Sequence, residues 1–286
     1  VPLMKTYLLI IFAGIFATFL YNYYASILRA IGNSVVPLIF LAVAALLNVA
    51  LDLLFVIVLR LGVGGAAFAT VIAQFVSGIG IMLYTLLRFP ALRPKKDDCR
   101  CSREALGRIL NLSLMTCLQQ SIMNFGILMI QGLVNSFGTV IMAAFAAAVK
   151  IDSFAYMPVQ DFGNAFSTFV AQNFGAGKTD RIRRGVRSAF FTSAVFSLCV
   201  SLGVVCFATP LMRVFIDPSE TAIIAAGVTY LRVEGSCYLG IGLLFLLYGY
   251  YRAVDKPLMS VILTVASLGT RVALAYALAP LPAVGV

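Results

Sequence analysis

Eight long apolar runs divide this chain and leave only short polar links between them. A run of roughly 20 apolar residues matches a bilayer crossed by an α-helix. Because lipid offers the backbone no hydrogen-bond partners, each span must satisfy its own backbone groups, and we predict eight transmembrane helices. They are placed at Tyr7–Leu28, Pro37–Leu59, Gly65–Leu87, Ile109–Leu133, Thr139–Gln172, Ser188–Pro210, Ala225–Tyr251 and Pro257–Ala279.

The composition agrees with an all-α membrane protein. Hydrophobic residues make up 62% of the 286 positions and charged residues 11%, whereas about 25% of a soluble domain is charged. The net charge of +10 sits mainly in links between apolar runs, with no basic helix interleaved with stacking aromatic residues. The expected partners are therefore the lipid bilayer and a small-molecule substrate, and no nucleic acid.

Basic residues fall mainly on one side if the eight spans alternate in direction. An excess of Lys and Arg marks the cytoplasmic side, so these links are predicted to be cytoplasmic, in a bacterial-type cell (inner) membrane. The opposite links carry Lys5, Arg60 and Arg213. The cytoplasmic set is Arg29, Arg88, Arg93, Lys95, Lys96, Arg100, Arg103, Arg108, Lys178, Arg181, Arg183, Arg184, Arg187, Arg252 and Lys256.

The first and seventh spans resemble each other. Every matched pair of residues is separated by the same number of positions, the number that separates Thr6 from Thr229. Six spans separate the copies, so both copies run in the same direction. A parallel repeat of this kind implies two similar helical bundles, as in several transporter folds. The matched pairs are Thr6–Leu8 with Thr229–Leu231, Leu20 with Leu243, and Arg29-Ala30 with Arg252-Ala253.

The repeat and the long basic link give the predicted organisation. Residues 1–88 form the second half of an N-terminal lobe, with three transmembrane helices. Residues 89–108 form a basic cytoplasmic link between lobes, and residues 109–286 form a C-terminal lobe of five helices. We expect about three further helices before residue 1 and one after residue 286, on the six-helix repeat.

Several stretches resemble the multidrug and toxic compound extrusion (MATE) family. The most specific is Gln172-Asn-Phe-Gly-Ala-Gly-Lys178, followed by Asp180-Arg181. Three weaker ones are Leu28–Asn33 with Pro37, Leu47–Asp52, and Leu61–Ala67 with Ala69-Thr70. The resemblance implies the fourth to eleventh of twelve helices in two lobes. It also implies export of amphiphilic, cationic molecules by antiport against protons or sodium, and we expect a monomer without a cofactor.

The resemblance is incomplete at one place. Sodium-linked members carry a carboxylate in the seventh helix and another in the tenth, and here Met123 and about Ile241 align with them. Neither residue carries charge, so that second-lobe cation site is not expected to transfer. In other bacterial members the coupling carboxylate is in the first helix, which the resemblance places before residue 1.

Polar residues form a stripe on two consecutive spans. On the fifth span, Lys150, Asp161, Asn164, Thr168 and Gln172 fall within about 80° of one another. On the fourth, the stripe comprises Ser113, Cys117, Gln120, Asn124, Gln131 and Asn135. We predict that these stripes line a water-filled cavity in the second lobe. The alternative is that they only join helices through hydrogen bonds.

Four of the other charged residues within spans are candidates for a structural or functional role. Glu234 and Arg271 are at similar depth on neighbouring spans and are predicted to form a structural ion pair, with a proton relay as the alternative. Asp152 points away from the stripe and is predicted to be structural. Asp52 follows Asn48 by one helical turn and is a candidate for a first-lobe proton site.

No metal site is predicted. The chain has no histidine, and the pair Cys99-x-Cys101 has no second pair to complete a zinc site.

The sequence therefore predicts a secondary antiporter. One alternative is a lipid-linked saccharide flippase of related architecture, which would favour clustered arginines inside the cavity. The spans offer Lys150 and Arg271 for this. The other is a membrane enzyme or receptor, which the lack of histidine, the lack of carboxylates paired on one helix face and the parallel repeat disfavour.

The orientation predicts which links a membrane-impermeant thiol reagent reaches in intact cells. In a background without native cysteines, Ser102→Cys and Thr179→Cys should stay unlabelled until the membrane is permeabilised. Ser219→Cys, in an opposite link, should be labelled at once. Rapid labelling of the first two variants would overturn the orientation.

Overall fold

The structure is a computed structural model that describes residues 2–93 and 102–278. Eleven α-helices make up most of this part of the chain. Lys95, Lys96, Arg100 and the predicted cysteine pair Cys99 and Cys101 lie outside that part. The helices are α1 (Pro2–Ala13), α2 (Ile15–Ala30), α3 (Val35–Asp52), α4 (Gly62–Arg88), α5 (Arg103–Asn135), α6 (Thr139–Gly175), α7 (Thr179–Cys206), α8 (Ala208–Phe215), α9 (Thr221–Ser236), α10 (Tyr238–Ala253) and α11 (Pro257–Leu278).

Each predicted span has a helical counterpart. Six helices are long and apolar enough to cross a membrane alone, counting α3 together with the π-helical segment Leu53–Val58. Two bent pairs supply the other spans: α1 with α2, bent by 43°, and α9 with α10, bent by 50°. The predicted all-α membrane fold is therefore confirmed, with two of its spans broken.

The sixth predicted span ends earlier than expected. It was placed up to Pro210, but α7 stops at Cys206 and Pro210 lies in the first turn of α8. A proline is tolerated in a first turn, where its missing N–H would be unpaired anyway. Pro158 shows the opposite case, since it lies inside α6 without ending that helix.

The two bent spans are the two copies of the predicted repeat, and they break at equivalent positions. Gly14 separates α1 from α2 and Cys237 separates α9 from α10, at the same offset that relates the two copies in sequence. Both breaks lie within a continuous turn, as Gly14 N–H donates to Ile11 O at 3.0 Å and Cys237 N–H to Glu234 O at 2.9 Å. The repeat thus reproduces a helix break that composition alone does not reveal.

The ends of the two copies also share one turn. Asn33 N–H donates to Leu28 O at 2.8 Å, and Lys256 N–H donates to Tyr251 O at 2.9 Å. Such a turn needs one residue in the left-handed region, supplied by Gly32 (φ 88°) in the first copy and Asp255 (φ 62°) in the second. The repeat offset holds for every pair, so the similarity extends from sequence to backbone.

The chain divides into two compact units, Val1–Cys101 and Ser102–Val286. In the first unit, α2 packs on α4, and small residues of both helices are fully buried, among them Ala17, Ala25, Ala67 and Ala69. A Cβ atom built at Gly78 would lie 2.8 Å from the carbonyl oxygen of Ala17. Small side chains allow this close approach, which drives helix association in lipid.

In the second unit, α6 and α10 approach most closely at two glycines. A Cβ atom built at Gly249 would lie 2.5 Å from the carbonyl oxygen of Gly163, and one built at Gly163 would lie 2.9 Å from that of Phe245. Backbone atoms cannot move aside as a flexible side chain can. The crossing therefore holds α6 and α10, which carry the polar residues described below, at a fixed distance.

Replacing Gly249 by alanine should destabilise the second unit. Gly→Ala in a helix is ordinarily stabilising by about 0.5–1 kcal/mol, but a forced clash in a packed crossing costs roughly 1–3 kcal/mol. We expect Gly249→Ala to lower the melting temperature of the purified protein, while Gly269→Ala, with open space around it, leaves it unchanged or raises it. Equal melting temperatures for both variants would contradict this account of the crossing.

Candidate functional site

A polar group lies inside the first unit, where α3 packs on α4. The Asn48 side-chain amide donates to Thr70 Oγ1 at 3.3 Å, and that hydroxyl donates to the carbonyl oxygen of Ala66 at 3.0 Å. Asp52 follows Asn48 by one turn as the last residue of α3. Sequence reasoning selected Asp52 with Asn48 but missed Thr70, although Thr70 lies in one of the family-like motifs.

A second polar pair extends this group along α4. Thr18 on α2 donates to Gln74 Oε1 at 2.8 Å, and Gln74 follows Thr70 by one turn. The signal for this pair was the i, i+4 spacing of Thr70 and Gln74 within an apolar span. The first unit thus carries polar side chains from three helices.

Asp52 differs from its neighbours because one of its carboxylate oxygens, Oδ1, is buried with no hydrogen-bond partner among the described residues. The backbone after Asp52 winds into the π-helical segment Leu53–Val58, closed by bonds such as Leu59 N–H to Leu54 O at 2.9 Å. π-Helical turns are rare and frequently occur at functional sites. A buried acceptor without a donor is costly, so this oxygen marks Asp52 as a candidate functional residue.

The second unit contains a cluster of charged and tyrosine side chains that we call the second-unit cluster: Asp152, Tyr230, Glu234, Tyr238 and Arg271. The Tyr238 hydroxyl donates to Asp152 Oδ1, and Tyr230 interacts with both Asp152 and Glu234. Arg271 Nη2 lies 3.2 and 3.3 Å from the two Glu234 oxygens. The structure therefore brings the predicted Glu234–Arg271 pair together.

The second-unit cluster adds a contact that the sequence analysis does not predict. The sequence analysis aligns the neutral Met123 and Ile241 with the carboxylates of sodium-linked relatives and predicts a structural role for Asp152. In the structure, Tyr230 interacts with both Asp152 and Glu234. Asp152 is only 5% exposed, and Ile241 packs against the apolar core. Tyrosine and glutamate four residues apart on α9 were the missed signal, since that spacing puts both on one helix face.

The predicted stripe on α6 stays on one face, and that face is largely exposed. Lys150, Asp161 and Asn164 are exposed and Thr168 is half-buried. Asn164 Oδ1 accepts a hydrogen bond from Arg252 Nη2 at 3.0 Å.

The stripe on α5 is also largely outward-facing. Gln120 and Asn124 are exposed, whereas Gln131 is half-buried and donates to Asn135 Oδ1 of its own helix at 3.2 Å. The described residues of the two stripes are therefore largely exposed in this chain. The internal space between α6, α7 and α10 is lined by other residues, including Val159, Ser197 and Tyr238. That the stripes line a transport pathway stays a prediction.

The chain has multiple apolar spans, two of which bend at equivalent points, and each unit carries polar groups. These features are characteristic of a multi-pass membrane transporter. A family model described as MatE matches residues 112–277, and the chain belongs to this family of multidrug and toxic compound extrusion transporters. This confirms the predicted family and the location in a bacterial cell membrane.

Three known proteins illustrate the similarity. The probable multidrug resistance protein YpnP of Bacillus subtilis is 32% identical over 267 residues, 93% of this chain and 59% of that protein. A crystal structure of MATE in complex with MaL6 matches with a TM-score of 0.89 at 22% identity, covering 95% of this chain and 61% of that one. The MATE transporter VcmN of Vibrio cholerae, as a variant, matches at 0.82 and 27% identity, covering 92% and 59%. The chain thus spans about three fifths of the length of these relatives.

Proposed function

We propose that this chain belongs to a secondary antiporter that exports amphiphilic, cationic small molecules in exchange for protons or sodium. The names of its relatives, which include multidrug resistance and multidrug export proteins, support drug export. The observation that supports the exchange mechanism is the buried carboxylate oxygen of Asp52, which has no hydrogen-bond partner in the part of the chain that the structure describes. No cofactor enters this mechanism, and a monomer suffices for it.

Asp52 supplies a carboxylate whose binding of a proton or cation can depend on the conformation of the protein. A carboxylate oxygen shielded from water is stabilised by gaining a proton or a cation, and it loses that benefit when the site opens to water. A conformation that buries the loaded group and one that exposes the empty group then differ in ion affinity. By linkage, ion binding shifts the equilibrium between them, which is the requirement for antiport.

The exposed face of α6 supplies a surface suited to an amphiphilic cation. Phe154 is 78% exposed and Met157 is 53% exposed. Asp161 lies one to two turns further along the same face. An aromatic ring, a flexible thioether and a carboxylate can contact an apolar body and its positive charge together. Lys150 on the same face would disfavour a cation near its own end of the stripe, which would orient the substrate.

The coupling role predicts the behaviour of Asp52→Asn in the full-length protein. The amide keeps the shape of the side chain but cannot bind an exchangeable proton or hold a cation by charge. We expect proteoliposomes with this variant to lose export of a cationic dye such as ethidium driven by an imposed proton or sodium gradient, with little loss of folded protein. Glu220→Gln, in an exposed link, is the matched control. Full gradient-driven export by Asp52→Asn would exclude it as the coupling group.

The substrate role predicts that Asp161→Asn and Lys150→Met change transport more than stability, because both side chains are exposed. Removing the Asp161 charge should weaken transport of a cationic dye by about tenfold, which corresponds to roughly 1.4 kcal/mol. Melting temperatures measured on the same preparations should stay close to that of the unmodified protein. Lower stability with unchanged transport per folded molecule would instead assign both residues to helix association.

A further inference from the structure

The carboxylates of the second-unit cluster already have a cation, the guanidinium of Arg271. It lies 3.2 Å from Glu234 Oε2 and 3.3 Å from Oε1, and its charge also acts on Asp152. We propose that the guanidinium of Arg271 occupies the place in this cluster that a sodium ion would take. Because this cation is part of the chain, we call it the resident cation.

The oxygen atoms of the cluster would otherwise suit a hard cation. Two carboxylates and two tyrosine hydroxyls converge there from α6, α9 and α10, and oxygen donors are what sodium-like and divalent cations prefer. Two carboxylates brought together inside a span need a countercharge, because unpaired charges are strongly disfavoured in a low-dielectric interior. Arg271 on α11 provides it, and it cannot leave by losing its proton because arginine stays charged in proteins.

The position of the cluster shows what this charge holds in place. Glu234 precedes the break between α9 and α10, and Tyr238 follows it, so the cluster spans the bend of this transmembrane pair. The equivalent positions in the first copy of the repeat are Ile11 and Ile15. Only the second copy of the bend is therefore fixed by charged and polar contacts at these positions.

An assignment of ion specificity follows, and this step rests on the proposed antiport. If Arg271 fills the second-unit cluster, that cluster binds no exchanged sodium, and the choice between protons and sodium falls to Asp52 in the first unit. Arg271 is then a specificity-determining residue, although the bonds described for it all lie within the second-unit cluster.

Stability measurements test the resident-cation assignment without reference to transport. All variants are made in the full-length Asp52→Asn protein, so that cation binding at Asp52 cannot change the melting temperature. Melting temperatures are recorded in sodium chloride, choline chloride and millimolar methylguanidinium. The exposed Arg232, two residues before Glu234 on α9, gives the matched control Arg232→Ala.

We expect Arg271→Ala to lower the melting temperature by several degrees, because it leaves two carboxylates without a countercharge. Methylguanidinium should recover most of that loss, and sodium should recover part of it where choline does not. Neither cation should stabilise the parent protein or Arg232→Ala specifically. An unchanged melting temperature in Arg271→Ala, equal rescue of Arg232→Ala, or a sodium-specific stabilisation of the parent that Glu234→Gln removes would each overturn the proposal.

A second variant covers the case in which Arg271→Ala yields no folded protein. Glu234→Gln combined with Arg271→Gln removes one charge of each sign and keeps hydrogen-bonding side chains. Recovery of folded protein in the double variant, relative to Arg271→Gln alone, supports the pairing of charges. Equal failure of both would show that Arg271 is needed for another reason and would overturn the proposal. Because the readout is stability, failure here leaves the Asp52 transport test unaffected.

Discussion

Lipid cannot hydrogen-bond to a peptide backbone, and the structure of this chain follows from that fact. Every span must be helical, and helices surrounded by lipid gain little from burying apolar side chains against one another. They associate instead where their backbones can touch, at Gly78 against Ala17 in the first unit and at Gly249 against Gly163 in the second. These crossings fix α2 against α4 and α6 against α10, the helices that carry Thr70, Asp152 and Tyr238.

The two bent spans share a backbone scaffold but carry different chemistry. The break at Gly14 recurs at Cys237, and the turn with Gly32 recurs with Asp255, although most side chains between them differ. In the second unit the bend carries a charged cluster, while the positions of the first unit that correspond to Glu234 and Tyr238 are Ile11 and Ile15. The first unit places its carboxylate elsewhere, at the junction of α3 with the π-helical segment. The two copies therefore share backbone geometry but divide the ionisable groups between different helices.

The carboxylates within the spans have different partners in the two units, and this difference is the physical basis of the proposed function. In the second unit, Asp152 has the hydroxyl of Tyr238 and Glu234 has Arg271. In the first, one oxygen of Asp52 has no donor among the described residues. A satisfied group gains little from binding an ion, whereas an unsatisfied one gains a great deal. The unsatisfied oxygen of Asp52 supports the proposed exchange of a proton or sodium at that residue, and the contact of Arg271 with Glu234 supports its proposed structural role.

The sequence alone determined the number and type of spans, their family and the repeat, because hydrophobic runs and motif spacing are local properties of the chain. It also selected Asp52 and the Glu234–Arg271 pair, since a charge inside an apolar run is conspicuous. Tertiary structure decided which neutral and charged groups meet: Thr70 with Asn48, and Asp152 with Tyr238 across 86 residues. It also decided that the stripes on α5 and α6 are largely exposed in this chain, because the exposure of a helix face depends on which neighbours cover it, and periodicity does not contain that information.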